Sequence, residues 1–463
     1  MKFKARPLRS WLARGPLAIS AGRRGPWVLL GVVCWVAWSD RAWCDDAATH
    51  RARRDALVAS LATTSPGGVL VLGNRPTDHD PWPSPDFYYL TGIHRHDAIL
   101  ALTWCDGVVR QFLFVRGQSD DDELFHGARV LPGDGAAAAL RYERVRDLGD
   151  AGAALDALVV ATRRDSRLWL GTQAWPECTP PVSTTTLVAR AAARGVDVRD
   201  PADVIAGQRM VKDAGELARI ERAVELTSVG LHEALRSVRP DQRERELAAV
   251  VEFVARRNGG DARMAFRSIV GGGPNACVLH HEAAERLLRG GELVLIDVGA
   301  QYDGYAADLT RTIPVNGRFT DEQRALYRIV LAAQRAAIAR VRPGATLDDV
   351  ERAARDVVAV AGYPDQPPHL LTHHVGIEVH DPGDRDVPLR AGMVIAVEPG
   401  IYLRERAMGI RIEDNVLVTK DGSRVLSSWL AREAEDVERV IAEGGGLGRA
   451  RAPLERERLG AGD

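Results

Sequence analysis

Apolar residues occur in two different patterns along the chain, and the pattern changes near Pro201. Before Pro201 they form short runs bounded by glycine, proline and aspartate, which is typical of β-strands. These runs are at 69–72, 98–104, 108–115, 158–161 and 167–170. Clusters of proline and glycine at 81–85 and 132–135 predict loops. The first part of the chain is therefore predicted to be a mixed α/β unit.

After Pro201 the apolar residues follow the spacing of a helix. From Leu217 to Leu235 they are separated by 3, 4, 7 and 4 residues, and Pro240 ends this helix. Further helices are predicted at 244–257 and after the capping boxes 320–323 and 346–349. Strands are predicted at 293–298, 305–313, 394–397 and 410–418. This second part is therefore predicted to be α+β, with helices covering strands.

The second part contains one internal repeat. The stretches 291–299 and 392–400 start 101 residues apart, and each is an apolar run between two glycines. Each run ends in an acid, Asp297 in the first copy and Glu398 in the second. A second acid follows each copy in a second apolar run. The pattern indicates a duplicated unit whose halves are related by a pseudo-twofold axis.

The acids in these runs are the first candidate functional residues. Asp308 lies 11 residues after Asp297, across a predicted turn, and Glu398 and Glu413 repeat the arrangement across a longer loop. Folding each pair of strands back on itself brings its two acids close together. Carboxylates that close repel one another unless they share a proton or a cation. Four of them carry a charge of about −4, which two divalent cations neutralise, and oxygen ligands favour hard or borderline metals.

Histidines cluster beside these acids. Four of the 12 histidines in the chain fall within 369–380, between the two acid pairs. They are His369, His373, His374 and His380. A further histidine, His280, follows a glycine-rich loop and precedes Asp297 by 17 residues. An isolated histidine is usually a core or surface residue, but this clustering indicates nitrogen ligands or catalytic groups.

Composition narrows the class of protein. The 463 residues predict two or three domains, and 61 Lys+Arg against 63 Asp+Glu give a net charge of −2. A nucleic-acid-binding protein usually has a basic surplus, so no nucleic acid is expected as a partner. The five cysteines form no CxxC pair, which argues against a zinc ribbon or a disulfide scaffold.

The N-terminal segment resembles an export signal. The first 26 residues carry seven lysines and arginines and no acid, and an apolar run of 12 residues follows at 27–38. This is typical of a signal peptide and short for a membrane span. It predicts a periplasmic, secreted or N-terminally anchored protein; the alternative is a cytoplasmic protein whose translation starts further along. The expected division is a signal or anchor at 1–45, domains at 46–205 and 206–442, and a disordered tail at 443–463.

The motifs around the acids and histidines carry a family resemblance. They are SIVGGGPNACVLHH (268–281), LVLIDVGAQYDGYAADLTRT (293–312), THHVGIEVHD (372–381), VIAVEPGIYL (394–403) and GIRIEDNVLVT (409–419). Together they resemble the "pita-bread" metallopeptidases, the family of methionine aminopeptidase, prolidase and aminopeptidase P. The run 85–92 is similar to the N-terminal domain of aminopeptidase P and prolidase, which methionine aminopeptidases lack. The resemblance implies a creatinase/prolidase-type N-terminal domain followed by a pita-bread catalytic domain with a pseudo-twofold.

The resemblance also implies a set of site residues. The five metal ligands would be Asp297, Asp308, His373, Glu398 and Glu413. Asp308 and Glu413 would bridge two metal ions, with a hydroxide between the ions, and Glu398 would be the general base. His280 and His380 would contact the substrate and stabilise the intermediate. His369 and Arg385 would be further substrate-pocket positions, and Arg411 would hold the acids in place.

The function implied is that of a Xaa-Pro aminopeptidase with two divalent ions. Mn²⁺ is the expected metal, with Co²⁺, Zn²⁺ and Fe²⁺ as alternatives. The expected partners are a peptide with proline in second position and further copies of the chain, in a dimer or tetramer. Three alternatives share the fold: a prolidase that accepts only dipeptides, a metal-free creatinase-like hydrolase, and a non-catalytic binding module. The intact ligand set argues against the last two.

Overall fold

The computed structural model describes residues 47–74, 83–93, 97–161, 166–171 and 184–445. The expected signal segment 1–45, part of the proline-rich loop and most of the expected tail lie outside these described residues. Within the described ranges, no helix is both long and apolar enough to cross a membrane.

The N-terminal domain is built around one six-stranded sheet. Its elements are α1 (47–62), β1 (Gly67–Asn74), α2 (Pro85–Thr91), β2 (Ala98–Cys105), β3 (Val108–Val115), α3 (Asp120–His126), α4 (Asp134–Ala139), β4 (Arg144–Asp147), α5 (Ala151–Ala161), β5 (Arg167–Leu170), α6 (Thr184–Ala193) and β6 (Asp197–Arg199). The strand order is β4-β3-β2-β1-β5-β6. The strands β1, β2 and β3 pair antiparallel, and the outer pairs are parallel.

Both faces of this sheet are buried, because successive side chains of a strand point to opposite sides. In β1, Leu70 and Leu72 pack into one apolar core with α1 and α2. Val69 and Val71 pack into a second core with α5 and α6. The mixed α/β prediction for this part of the chain is therefore confirmed.

One local prediction in the N-terminal domain is wrong, and a second holds at 83–84 but not at Pro85. The run 158–161, predicted as a strand, is the last turn of α5, an alanine-rich stretch in which helix propensity outweighs the short β-branched pair. The predicted loop 81–85 gives way to α2 at Pro85. Proline is favoured in the first turn of a helix, and the Ser84 side chain accepts a hydrogen bond from the Phe87 backbone N–H.

The catalytic domain contains the remaining elements. They are α7 (Ala202–Met210), α8 (Ala214–Ser237), α9 (Glu244–Arg257), β7 (Ile269–Gly272), β8 (Leu293–Val298), β9 (Gln301–Tyr302), β10 (Tyr305–Ala306), β11 (Leu309–Pro314), α10 (Asp321–Ile338), α11 (Leu347–Val360), β12 (Thr372–His374), β13 (Val394–Val397), β14 (Gly400–Leu403), β15 (Met408–Arg411), β16 (Asp414–Val418), β17 (Ser423–Val425) and α12 (Ala434–Glu443). Helix α7 joins the two domains and spans the boundary expected between 205 and 206. Both predicted capping boxes, at Thr320 and Thr346, are formed.

The same order of elements occurs twice in the catalytic domain. The first half runs α8, α9, β7, β8, β9, β10 and β11, and the second runs α10, α11, β12, β13, β14, β15 and β16. In the first half β8 lies between β7 and β11, and in the second half β13 lies between β12 and β16. These strands hold the same places in the two orders. The predicted internal repeat is therefore confirmed in the topology.

Two predicted strands are interrupted where the second acid of each half lies. Asp308 falls between β10 and β11, and Glu413 falls between β15 and β16. Outside the ladders, their backbone N–H groups are available for bonds between the halves. The Asp308 N–H donates to Oδ1 of Asn415 at 2.9 Å, and the Glu413 N–H donates to the Thr310 carbonyl at 3.1 Å. These two hydrogen bonds therefore connect the two halves of the domain at Asp308 and Glu413.

Candidate active site

The five predicted metal ligands lie together at one end of a cavity of about 540 Å³. Asp297, Asp308, His373 and Glu398 line this cavity, and Glu413 is buried beside them. Ligand atoms of Asp297, Asp308 and Glu413 lie within 4.8 Å of one another, as do those of His373, Glu398 and Glu413. We refer to Asp297, Asp308, Glu398 and Glu413 as the acid cluster. A cavity of this size suits a small ligand.

Several of these ligand atoms lack a hydrogen-bond partner. The unpartnered atoms are Oδ1 of Asp297, Oδ1 of Asp308, Oε1 of Glu413 and Nε2 of His373. A buried polar atom without a partner costs free energy, so a set of four in one place indicates an absent partner.

The other atom of three of these side chains is already engaged. Asp297 accepts from Arg411 at 2.5 Å through Oδ2, and Glu413 accepts from the Thr310 hydroxyl at 2.7 Å through Oε2. Nδ1 of His373 lies 3.0 Å from the His374 carbonyl. Because a carbonyl only accepts, Nδ1 carries the proton, and the lone pair of Nε2 faces the acid cluster. These residues fit a metal centre.

Burial and repulsion raise the pKa values of three acids in this cluster, Asp308, Glu413 and Glu398. The pKa of Asp308 is well above its usual value because the side chain is buried and Asp297 and Glu398 repel its charge. The pKa of Glu413 is raised well above its usual value for the same reasons. Burial raises the pKa of Glu398 to about 7, although His373 and Arg411 oppose the shift. Four carboxylates and the Arg411 guanidinium sum to −3, which two divalent cations would offset.

Arg411 orders one side of the cluster. Besides the contact with Asp297, its guanidinium donates to the Thr310 hydroxyl at 3.2 Å and to the Tyr402 hydroxyl at 2.9 Å. Thr310 and Tyr402 were not predicted as site residues. The position of Thr310, two residues after Asp308 and so on the same face of the chain, is a signal that could have found it. Nothing in the sequence pattern marked Tyr402.

The predicted histidines line the cavity with their rings close to the ligands. The His380 ring meets the His373 ring edge-on at 4.4 Å between centroids, and His280 also lines the cavity. Burial and then the neighbouring histidines lower the pKa of His380 to about 4. His369 lies 3.0 Å from the Tyr402 hydroxyl through Nε2, and burial lowers its pKa to about 4 as well. Both rings are therefore neutral near pH 7.

Arg385, predicted as a substrate-pocket residue, does not line the cavity. Its guanidinium contacts Glu351 at 2.6 Å and Asp348 at 2.9 Å, both on α11, and donates to the Thr372 carbonyl at 2.8 Å. The acidic residues of the helix hold the arginine away from the ligand space. Its position therefore gives it a structural contact with α11 and β12, outside the lining of the cavity.

The rest of the cavity wall is largely apolar. The residues concerned are Phe266, Ile269, Leu279, Leu370 and Val379. At the rim, Arg267 pairs with Glu282 at 2.8 Å, and both side chains are exposed. The cavity wall thus combines groups suited to cations with side chains suited to an apolar group.

A duplicated α+β domain with carboxylate and histidine ligands at one end of a cavity defines a metal-dependent hydrolase. Residues 218–420 match the sequence profile of metallopeptidase family M24, and residues 50–169 match that of the aminopeptidase P N-terminal domain. The chain belongs to the aminopeptidase P branch of metallopeptidase family M24, as its relatives show.

Two relatives and one solved structure show how far the similarity extends along the chain. A Xaa-Pro aminopeptidase of Haemophilus influenzae is 32% identical over 388 residues, which are 77% of this chain and 87% of the relative. A Xaa-Pro dipeptidase of Pyrococcus horikoshii is 39% identical over 230 residues, which are 49% of this chain and 64% of the relative. The structure of proline aminopeptidase P II from Yersinia pestis matches with a TM-score of 0.76 at 30% identity, over 86% of this chain and 100% of that chain. The fold implied by the family resemblance is therefore confirmed.

Proposed function

We propose that the protein is a metal-dependent Xaa-Pro aminopeptidase, which hydrolyses the peptide bond that precedes a proline in second position. The observation that carries this proposal is the group of four unpartnered ligand atoms at one end of the cavity. The relative from Haemophilus influenzae, which shares both domains, supports the choice of reaction.

The metal ions belong to the proposal. The five ligands that would hold them are Asp297, Asp308, His373, Glu398 and Glu413. When bound, two divalent cations supply positive charge that polarises water and the scissile carbonyl. We propose Mn²⁺ as the ion, because four carboxylates and one imidazole favour hard or borderline metals. Co²⁺, Zn²⁺ and Fe²⁺ are the alternatives that a metal analysis would distinguish.

Glu398 and the side chains around the ligands have three further roles in the proposed reaction. Glu398 is the most exposed member of the acid cluster, at 17% of its side chain, so a water molecule can reach it and give up a proton to its carboxylate. His280 and His380 can each donate a hydrogen bond to substrate oxygens, which stabilises the charge that develops on the attacked carbonyl. The apolar wall, which includes Phe266 and Leu370, would receive the proline ring.

The test is hydrolysis of a Xaa-Pro-Xaa tripeptide and a Xaa-Pro dipeptide by EDTA-treated protein, before and after Mn²⁺ is returned. We expect cleavage of the tripeptide only when Mn²⁺ is present. A matched Xaa-Ala-Xaa peptide serves as the control for the proline requirement. If protein that binds two metal ions per chain cleaves neither proline peptide, the proposed substrate is wrong.

A Xaa-Pro dipeptidase is the second candidate. The dipeptidase of Pyrococcus horikoshii is more identical to this chain, at 39%, although it matches only 49% of it. The two activities share their ligands and differ in the length of peptide that the cavity accepts. Cleavage of the dipeptide alone in the same experiment would favour this candidate.

We propose that the protein forms a homo-oligomer, a dimer or tetramer. Leu124 and Phe125 on α3 are 79% and 78% exposed, and a subunit contact through the N-terminal domain would bury this apolar surface. Light scattering of the purified protein measures the assembly, and a Leu124→Asp variant tests this surface. A monomer at micromolar concentration would contradict the proposal.

We propose that the basic and apolar segment 1–45 exports or anchors the protein. Fractionation of cells that express the full chain, with and without residues 1–45, tests this. Recovery of the full chain in the cytosol, with its N-terminus intact, would contradict export.

A further inference from the structure

A second group of buried charge lies where the N-terminal domain meets the catalytic domain, outside the cavity. It consists of Arg209 and Lys212 between the two domains, Asp86 on α2, and Glu378 and Asp381 in the loop after β12. We call these five residues the junction network. The side chains of Arg209, Lys212 and Asp381 are each at most 4% exposed.

Arg209 is the centre of this network. Its Nη1 donates to Oδ1 of Asp86 at 2.7 Å. Its Nη2 donates to Oε2 of Glu378 at 2.8 Å and to Oδ1 of Asp381 at 2.7 Å. Nζ of Lys212 lies 3.3 Å from the second oxygen of Asp381. The planar guanidinium thus fixes three carboxylates from two domains in one geometry, which a point charge could not do.

The loop 375–381 is wrapped around the carboxylate that Arg209 holds. Oδ1 of Asp381 also accepts from the Glu378 backbone N–H at 3.2 Å, and the Asp381 N–H donates to the His374 carbonyl at 2.9 Å. A Cβ atom at Gly376 would lie 2.3 Å from Oδ2 of Asp381, so only glycine fits there. Ile377 packs against the cores of both domains. The backbone of this loop therefore depends on the position of one buried carboxylate.

The loop also carries a residue that lines the cavity. His380 directly precedes Asp381, and its ring lies against the ring of His373, one of the five ligands. A displacement of the Asp381 carboxylate must move the adjoining peptide unit, and with it the imidazole of His380. A misplacement of about 1 Å in a reacting group can lower a rate by about 100-fold.

We propose that Arg209 is a positioning residue for the reaction: it fixes the loop 375–381 so that His380 faces the metal ligands, and through Asp86 it makes this position depend on the docked N-terminal domain. The inference rests on the proposed function, since His380 acts there on the peptide. It assigns the junction between the domains a part in catalysis, although no atom of Arg209 lines the cavity.

A double-mutant cycle with Arg209→Met and His380→Ala tests the proposal in the metal-loaded protein. We expect Arg209→Met to lower kcat for the tripeptide by about 10- to 100-fold with KM changed much less, because the group it moves acts on the reacting bond. In the His380→Ala background, the same substitution should have little further effect, since the residue through which it acts is gone. An equal loss of kcat in both backgrounds would overturn the proposal.

Arg53→Met is the matched control. Arg53 is another buried guanidinium at the junction, 8% exposed and paired with Asp213 and Glu216, and it does not touch the loop 375–381. We expect this variant to lose stability while keeping its kcat. If Arg209→Met does not fold, Glu378→Ala replaces it, because Glu378 lies at the exposed edge of the network and a smaller fall in kcat is expected.

Hydrogen–deuterium exchange of the same variants measures how well the backbone of the loop 375–381 is held, without any substrate. The backbone amides of Glu378 and Asp381 should exchange faster in Arg209→Met than in the wild type and in Arg53→Met. Unchanged exchange in this segment would overturn the proposal whatever the activity. If the wild type fails to cleave Xaa-Pro peptides, the proposed function is wrong, and exchange still decides whether Arg209 fixes the loop.

Discussion

The acid cluster and the junction network are two groups of buried charge that meet at the loop 375–381, and they differ in how that charge is balanced. In the junction network, three carboxylates face two cations, and each carboxylate forms an ion pair. In the acid cluster, four carboxylates face the single guanidinium of Arg411, and three carboxylate oxygens have no hydrogen-bond partner. Nε of Arg209 and Nζ of Lys212 also lack a hydrogen-bond partner, but both side chains are ion-paired. The junction network therefore mixes charges of both signs, whereas the acid cluster gathers mainly like charges.

The same residue types therefore have a structural role in the junction network and a functional role in the acid cluster. A buried pair with good geometry holds two elements in place, and removing one member leaves an uncompensated charge. Buried acids of like charge instead repel one another and oppose folding until cations bind. We expect a protein to keep such a destabilising group only where the bound cations have a function. The comparison predicts opposite responses when one acid is neutralised in each group.

The largest effect is expected from Asp308→Asn in the acid cluster. Without this ligand the protein should lose metal, and activity on the tripeptide should fall by about 10⁴-fold or more, as when a central catalytic group is removed. The metal-free variant should nevertheless be more stable than the metal-free wild type, because one repelling charge is gone. Elemental analysis, kinetics and urea unfolding in EDTA measure the three quantities. A less stable metal-free variant would contradict our description of the cluster.

The matching change in the junction network, Asp381→Asn, should lower stability. It leaves the buried cations of Arg209 and Lys212 without their shared partner, and breaking such a pair costs about 3–5 kcal/mol in the free energy of unfolding. Urea unfolding in EDTA gives this value with the metal contribution removed. A loss below about 1 kcal/mol would mean that the remaining acids balance the charge alone.

Metal removal should lower stability by a smaller amount. With free Mn²⁺ at about 100 times the dissociation constant, one site contributes about 2.7 kcal/mol to the free energy of unfolding. Thermal unfolding with EDTA and with increasing Mn²⁺ measures this contribution. The Asp381→Asn variant should show the same increment as the wild type, because its acid cluster is intact. A metal-independent melting temperature in the wild type would count against the site.

The smallest effect is expected from pH. The raised pKa values of Asp308, Glu413 and Glu398 mean that the folded metal-free protein takes up protons more readily than the unfolded chain. Its stability should therefore rise as pH falls from about 7.5 to about 5.5, a window that includes the Glu398 pKa of about 7. Melting temperatures in EDTA at the two pH values test this, and the Mn²⁺-loaded protein should show the opposite trend.

Within the junction network, the Asp381 carboxylate responds in a different pH window. Burial alone would raise the pKa of Asp381, but Lys212 and Arg209 lower it below its usual value. Its contribution is thus complete above the ordinary aspartate pKa of about 3.9 and is lost only as pH falls through the lower value in the folded protein. Asp381→Asn should therefore leave the trend between about pH 7.5 and 5.5 unchanged.

Local sequence signals predicted most of the fold. Strands such as β1 and β8 are continuous apolar runs, and the helices α10 and α11 begin at capping boxes in which Thr320 and Thr346 bond to residues three positions on. The strand predicted at 158–161 is wrong because its two β-branched residues could not outweigh an alanine-rich helix. The interruptions at Asp308 and Glu413 could not be predicted, because they depend on bonds between the two halves.

The sequence predicted the part of the site in which acids repeat and histidines cluster. The position of Arg385 was not predicted, since Glu351 and Asp348 on α11 compete for its guanidinium. No pattern in the sequence predicted the junction network. Arg209 bonds to residues 123 and 172 positions away, Asp86 and Asp381, and only the packing of the two domains brings them together.

The duplicated order of elements has a consequence for biosynthesis. The first half supplies Asp297 and Asp308, and the second supplies His373, Glu398 and Glu413. A nascent chain that ends before the second half therefore carries only two acids of the set. Under the proposed function, a chain that ends before Glu413 lacks part of the ligand set and is expected to have no peptidase activity towards its neighbours.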